Sequence, residues 1–156
     1  MQTNELLILN LEEVRRRSIK IWRGIPVDKL DWKPDTKAMS CNEMVRHVLK
    51  GEWAYMQMLR HGASLDTEDS PFKPHPLKDV ETEIVRAEPF RNEFLQLVRN
   101  YSHAELTYKN IDRSDVGYVR TYGDFILRIA YHESIHAGQL LGYLRQLNAP
   151  RPNIWD

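Results

Sequence analysis

A chain of 156 residues has the length of one domain and enough bulk to bury a core, so residues 1–156 are expected to form a single domain. Its 22 basic and 22 acidic residues cancel, which leaves no overall field to draw it to nucleic acid or an anionic membrane. A single cysteine, Cys41, excludes an intramolecular disulfide framework, and the expected compartment is cytoplasmic.

The opening stretch MQTNELLILNLEEVRRR lacks a basic leader and breaks its apolar run with Asn10, Glu12 and Glu13. It reads as neither a signal peptide nor a membrane span. Instead Leu7, Leu11, Val14 and Ile21 recur at helical spacing and predict a first helix over about 4–23. After the Gly- and Pro-containing GIPVDKLDWKPD, Ser40 and Glu43 form a capping box that starts a second helix, expected to end near Arg60. A third is predicted over about 78–101, with Val80, Ile84, Ala87, Phe94, Val98 and Tyr101 on one stripe and a kink at Pro89. The fourth begins near Thr121 and continues to Leu147, where Asn148 and Pro150 stop it. Strand-like alternation is confined to a weak hint at GYVRTY. The prediction is an all-α four-helix bundle, with the 61–77 connection as its long crossover.

Within the fourth helix HESIH places His132 and His136 four residues apart, on one side of the helix and roughly 40° apart about its axis. Phe125, Ile129, Leu140 and Tyr143 share that side, so the pair is expected to look inward. Two buried imidazoles each need a partner, and a shared metal ion is the simplest one. The pattern is also that of zinc peptidases. Those need a third ligand downstream, yet the twenty residues after His136 hold no histidine. Gln139 and Gly142 stand where the extended peptidase pattern requires a glycine and a histidine.

The third ligand should therefore lie upstream. His75 sits between prolines, His103 in a connection, and His61 at a helix end. His47, about two turns into the second helix, lies at the edge of an apolar arc formed by Met44, Val48, Leu49, Met56 and Leu59. Gly51, one turn on, leaves space beside it. One histidine from the second helix and two from the fourth would make a three-histidine site with open coordination positions.

The segments CNEMVRHVLKGEW and HESIHAGQLLGYLRQLNAPRP, with the approach DKLDWKPDTKAMS, resemble the DinB/YfiT superfamily of four-helix proteins. The resemblance spans most of the chain and implies metal ligands at His47, His132 and His136. Similar members include metal-dependent thiol transferases acting with low-molecular-weight thiols. A mycothiol-dependent isomerase and the iron-binding helical domain of ergothioneine-synthesising enzymes also belong to the superfamily. It thus implies a small-molecule substrate, such as a thiol.

Two carboxylates fall within apolar stripes, Glu52 and Glu133, and each needs a partner there. Both can be structural ion pairs or rim residues. The functional reading makes Glu52 a partner orienting a ligand histidine and Glu133 a catalytic base. Gln139 and Tyr143 are positioned to line the same cavity wall, and Arg128, one turn before His132, to receive an anion. Cys41, in the first turn of the second helix, is expected to favour the thiolate but lies about 9 Å along the axis from His47. Ala130, Ser134, Gly138 and Gly142 form a line of small residues, read either as close packing within the bundle or as a homodimer seam.

A divalent ion on three neutral imidazoles keeps its full charge and acidifies a bound water or thiol. Zinc is the first choice; nickel, iron and manganese also suit three histidines plus water. The expected function is a metal-dependent thiol transferase or hydrolase. The alternative is a non-catalytic metal-binding stress or interaction dimer. No basic face or recognition motif supports nucleic-acid binding. Substrate selectivity is expected in segments 61–77 and 102–121 and in the tail with Arg151 and Trp155.

Overall fold

A computed structural model describes residues 2–156. Four long helices carry the chain: α1 (Thr3–Arg23), α2 (Cys41–His61), α3 (Val80–Asn100) and α5 (Tyr122–Gln146). A short α4 (His103–Tyr108) and a two-stranded hairpin, β1 (Asn110–Arg113) and β2 (Tyr118–Thr121), fill the connection before α5.

The helix ends follow local chemistry. Ser40 Oγ accepts from the Glu43 amide at 3.2 Å and the Glu43 carboxylate accepts from the Ser40 amide at 2.7 Å, so the capping box starts α2 as expected. Gly62 stops the helix in the left-handed region, at φ 80°. Asp79 caps α3 and Thr121 caps α5. After α5, Asn148 takes a left-handed turn at φ 53° and Pro150 follows. Helix α3 continues through Pro89.

Helix α1 packs on α3 and α5, and α2 packs on the same two, so α1 faces α2 across the bundle diagonal. The core divides into two apolar halves. One holds Leu11 from α1, Met56 and Leu59 from α2, Phe94 and Val98 from α3, and Phe125 and Ile126 from α5. The other holds Ile21 and Trp22, Met44 and Val48, Val80 and Ala87, and Leu140 and Leu144. Helices α1 and α5 thus enter the first half at their N-terminal ends, whereas α2 and α3 reach it at their C-terminal ends. Neighbours α2 and α3 therefore run parallel, and the chain between them must travel back along the bundle. Segment 62–79 does so: Leu65 packs on the first half and Phe72 is buried in the second. This is the long crossover that the sequence placed at 61–77. Arg46 fastens it, donating to the carbonyls of His75 at 2.8 Å and Pro76 at 3.1 Å while pairing with the fully buried Glu83.

Between the two apolar halves lies a charged layer with one residue from each long helix. Arg15 of α1 grips both carboxylate oxygens of Glu133 of α5, at 2.8 and 3.0 Å, and approaches Glu52 of α2 at 3.2 Å. Arg91 of α3 donates to Glu52 and, at 2.8 Å, to the Leu11 carbonyl. Two cations balance two anions, which is the condition for tolerating charge in a dry interior.

The hairpin exceeds the hint in the sequence. Its strands pair antiparallel from Asn110 with Thr121 to Arg113 with Tyr118. It is tied to the end of α2, where the Asp112 amide donates to the Gly62 carbonyl at 2.9 Å. No described helix is long and apolar enough to cross a membrane.

Candidate metal centre

Helices α2 and α5 meet along a seam, and three imidazoles project into it. His47 Nε2 lies 3.1 Å from His132 Nε2, which lies 3.1 Å from His136 Nε2. Among the described residues these are the ones whose ligand atoms cluster as a metal site requires. Three nitrogens each about 2.0–2.1 Å from one ion stand about 2.9–3.3 Å apart, depending on coordination angle. The two separations from His132 fall in that window.

Proton positions give the same answer. His136 Nδ1 lies 2.7 Å from Gln139 Oε1, an atom that only accepts, so Nδ1 carries the proton and Nε2 presents a lone pair to the cluster. Lone pairs at this separation repel unless a proton or a cation lies between them. Burial, followed by the charges of His136 and His47, holds His132 down to about 4 from the usual 6.5; Glu133 opposes this only weakly. His47 is lowered for the same first reason, so both imidazoles stay neutral ligands at neutral pH. A depressed folded-state value means that the native chain binds fewer protons than the unfolded one. The His132 contribution to stability is therefore complete above pH 6.5 and is lost as pH falls toward 4. Chelator-treated protein should show a steeper fall in Tm over that interval than His132→Gln; parallel curves would refute the assignment.

Gly51 supplies room. A methyl group there would meet Cε1 of His132 at 3.4 Å, so the ring lies over the bare backbone of α2. Gly51→Ala should keep the ion and gain about 0.5–1 kcal/mol in helix stability. Gly51→Val should displace the ring and lose the ion. Thermal melts with metal analysis check both.

The histidines are not in the bundle interior, as the sequence reading placed them. His47 is exposed, and His132 and His136 are half-buried, so the cluster opens to solvent. The centre of the α5 inner face is Glu133, which is 4% exposed. One residue is about 100° of helix rotation, so neighbours in sequence face different surroundings.

That rotation corrects the role expected for Glu133. Burial alone would raise its carboxyl, but the charge and hydrogen bonds of Arg15 outweigh burial and hold it below the usual carboxylate range. A carboxylate so held is a poor base, and both its oxygens are occupied. Glu52 likewise pairs with Arg15 and Arg91 rather than with a histidine. The structural ion-pair reading fits both. It is Gln139 that touches a histidine ring.

Tyr143 does not line the site as expected either: its hydroxyl donates to the Met39 carbonyl at 3.2 Å and its ring packs edge-on to Trp32. Cys41 is fully buried, and burial pushes its thiol up to about 11, which overrides the expected helix-dipole effect. Arg128 does lie beside His132, in the wall of a cavity shared with Tyr55, Tyr118 and Phe125. Tyr55 was legible in the sequence, since His47, Gly51 and Tyr55 recur every four residues of one helix. Tyr118 carried no such signal, because it depends on the hairpin.

Fold and site together define a four-helix bundle with a three-histidine cluster on one seam. The chain belongs to the DinB superfamily, whose profile matches residues 10–140. It is similar to a DinB-like protein of Bacillus subtilis, at 21% identity and a TM-score of 0.71 over 96% of both chains. A DinB-like protein of Bacillus cereus matches at 15% identity and a TM-score of 0.75, over 97% of both. YfiT of Bacillus subtilis matches at 11% identity and a TM-score of 0.77, over 94% of this chain and 89% of YfiT. YfiT is described as a probable metal-dependent hydrolase with an unusual four-helix bundle topology. No protein of curated function matches the chain.

Proposed function

We propose that the protein binds one divalent metal ion through Nε2 of His47, His132 and His136 and acts as a metal-dependent thiol transferase or hydrolase. The convergence of three imidazole nitrogens on a solvent-open seam, with His132 Nε2 3.1 Å from each of the other two, carries the reading. Three protein ligands leave positions free, as reactive sites do and closed structural sites do not. When bound, the ion supplies a full positive charge that acidifies a coordinated water or thiol. Zinc is the first choice, with nickel, iron or manganese also suited to the donor set. Gln139 fixes the proton of His136 at Nδ1, and the half-buried rings keep bulk water off one side. A low-molecular-weight thiol is the favoured substrate, in the reducing setting of the cytoplasm.

The description of YfiT supports the hydrolase branch. The two branches separate in a direct assay: ion-loaded protein is given a small thiol with a chloroarene electrophile, or an activated ester, beside His47→Ala. Turnover of one substrate that requires both the ion and His47 is expected. Rates equal to those of the stripped protein on both would leave the non-catalytic metal-binding reading.

The homodimer reading rests on α5. Among the described residues nothing lies within 4 Å of where a side chain would begin on Gly138 or Gly142, so these glycines serve no close packing there. Leu127, Tyr131 and Ile135 are exposed on the same helix. Sedimentation should give twice the chain mass, and Gly138→Arg should return it to monomer; a monomeric parent removes this reading.

A further inference from the structure

His132 also forms part of a second feature, a cavity of about 210 Å³ between α5, α2 and the hairpin. Its walls are apolar or aromatic: Tyr55, Phe125, Ile129, Tyr131 and Ile135, with Tyr118 at the hairpin side. Tyr55 stands edge-on to both His132 and Phe125, at centroid distances of 5.6 and 5.7 Å. Among the described residues no carboxylate lines this space. Its permanent charge is Arg128.

The cationic side is compensated only in part. Three guanidinium groups surround the Tyr118 ring, with Arg128 at 4.9 Å, Arg113 at 5.4 Å and Arg120 at 5.5 Å from its centroid. Arg120 is neutralised by Asp124 at 2.6 Å. Arg113 donates to the Tyr118 hydroxyl and to Ser64 Oγ, which in turn donates to the Asp115 carboxylate at 2.6 Å. Arg128 makes no ion pair or hydrogen bond among the described residues. Arg128 thus keeps a free charge beside the ring at the cavity wall, where an anion could pair with it.

Size limits what enters. A cavity of about 150 Å³ accepts benzene, so this one admits a single ring with a short arm. We infer that it is the substrate pocket of the histidine site and selects a small carboxylate with an aromatic or branched apolar body, whose carboxylate is held by Arg128. The inference rests on the reading of the histidines as a reactive centre, because His132 places one end of the pocket at the cluster. Binding in the pocket, however, needs no ion.

The test uses 3-phenylpropionate and its uncharged amide as probes, titrated by calorimetry into the full chain, both ion-loaded and chelator-treated. A charge-assisted hydrogen bond predicts that the acid binds about tenfold more tightly than the amide, in both states. Arg128→Gln should erase the preference while leaving the helical spectrum unchanged, since Arg128 is exposed. Equal binding of acid and amide to the parent, or no binding of either at millimolar concentration, would overturn the inference. So would a preference that survives Arg128→Gln. A preference seen only with the ion would place the carboxylate on the metal and overturn it as well. Failure of the chain to bind an ion would leave the preference standing, which separates this inference from the metal reading.

Discussion

Replacing Arg15 with methionine should cost about 3–5 kcal/mol of folding stability, the effect of removing one partner from a buried ionic layer. Arg15 is the centre of that layer, bound to Glu133 through two hydrogen bonds and to Glu52 at 3.2 Å. Glu133 and Glu52 are 4% and 5% exposed, so water cannot take the place of the guanidinium. Glu133 would lose its ion-pair partner, and Glu52 would keep Arg91. Urea unfolding measures the loss; a change under about 1 kcal/mol would mean that the layer is wet or that the carboxylates protonate at little cost. Glu133→Gln separates structure from chemistry. It should destabilise the fold yet leave ion binding and turnover per folded molecule intact. Lost turnover with the ion retained would return Glu133 to the chemistry.

The second large effect concerns Gln139. Its Oε1 holds the proton of His136 on Nδ1 at 2.7 Å, and so orients the ring and frees Nε2. Removing such a partner weakens metal affinity by about 10–100-fold in comparable sites. Gln139→Ala should lose affinity on that scale, read by competition with a chromophoric chelator. Because Gln139 is exposed, the fold should be unaffected. Unchanged affinity would mean that the rotation of His136 is fixed by packing against its neighbours alone.

Much of the fold was legible because its signals are local. The Ser40–Glu43 box, the Asn148–Pro150 stop and the spacing of His132 and His136 each depend on a few adjacent residues. The choice of His47 also came from such spacing, with Gly51 one turn on. What stayed hidden depends on partners far away in the chain. Helix α5 is apolar around much of its circumference, so periodicity could not say whether the histidines or Glu133 marked its centre. Arg15 and Arg91, on α1 and α3, decide that question. The hairpin escaped for a similar reason: four-residue strands carry little alternation, and theirs are fixed by pairing with each other and with the end of α2. The cavity wall at Tyr118 was lost with it.

The most direct measurement is the metal content of freshly purified protein beside His47→Ala, with circular dichroism on both. About one ion per chain in the parent, lost in the variant while the helical spectrum is kept, is the result that a site joining α2 and α5 requires. Equal metal in the two proteins would take His47 out of the site. No metal in either, even after ions are added back, would leave three packed imidazoles and contradict the account.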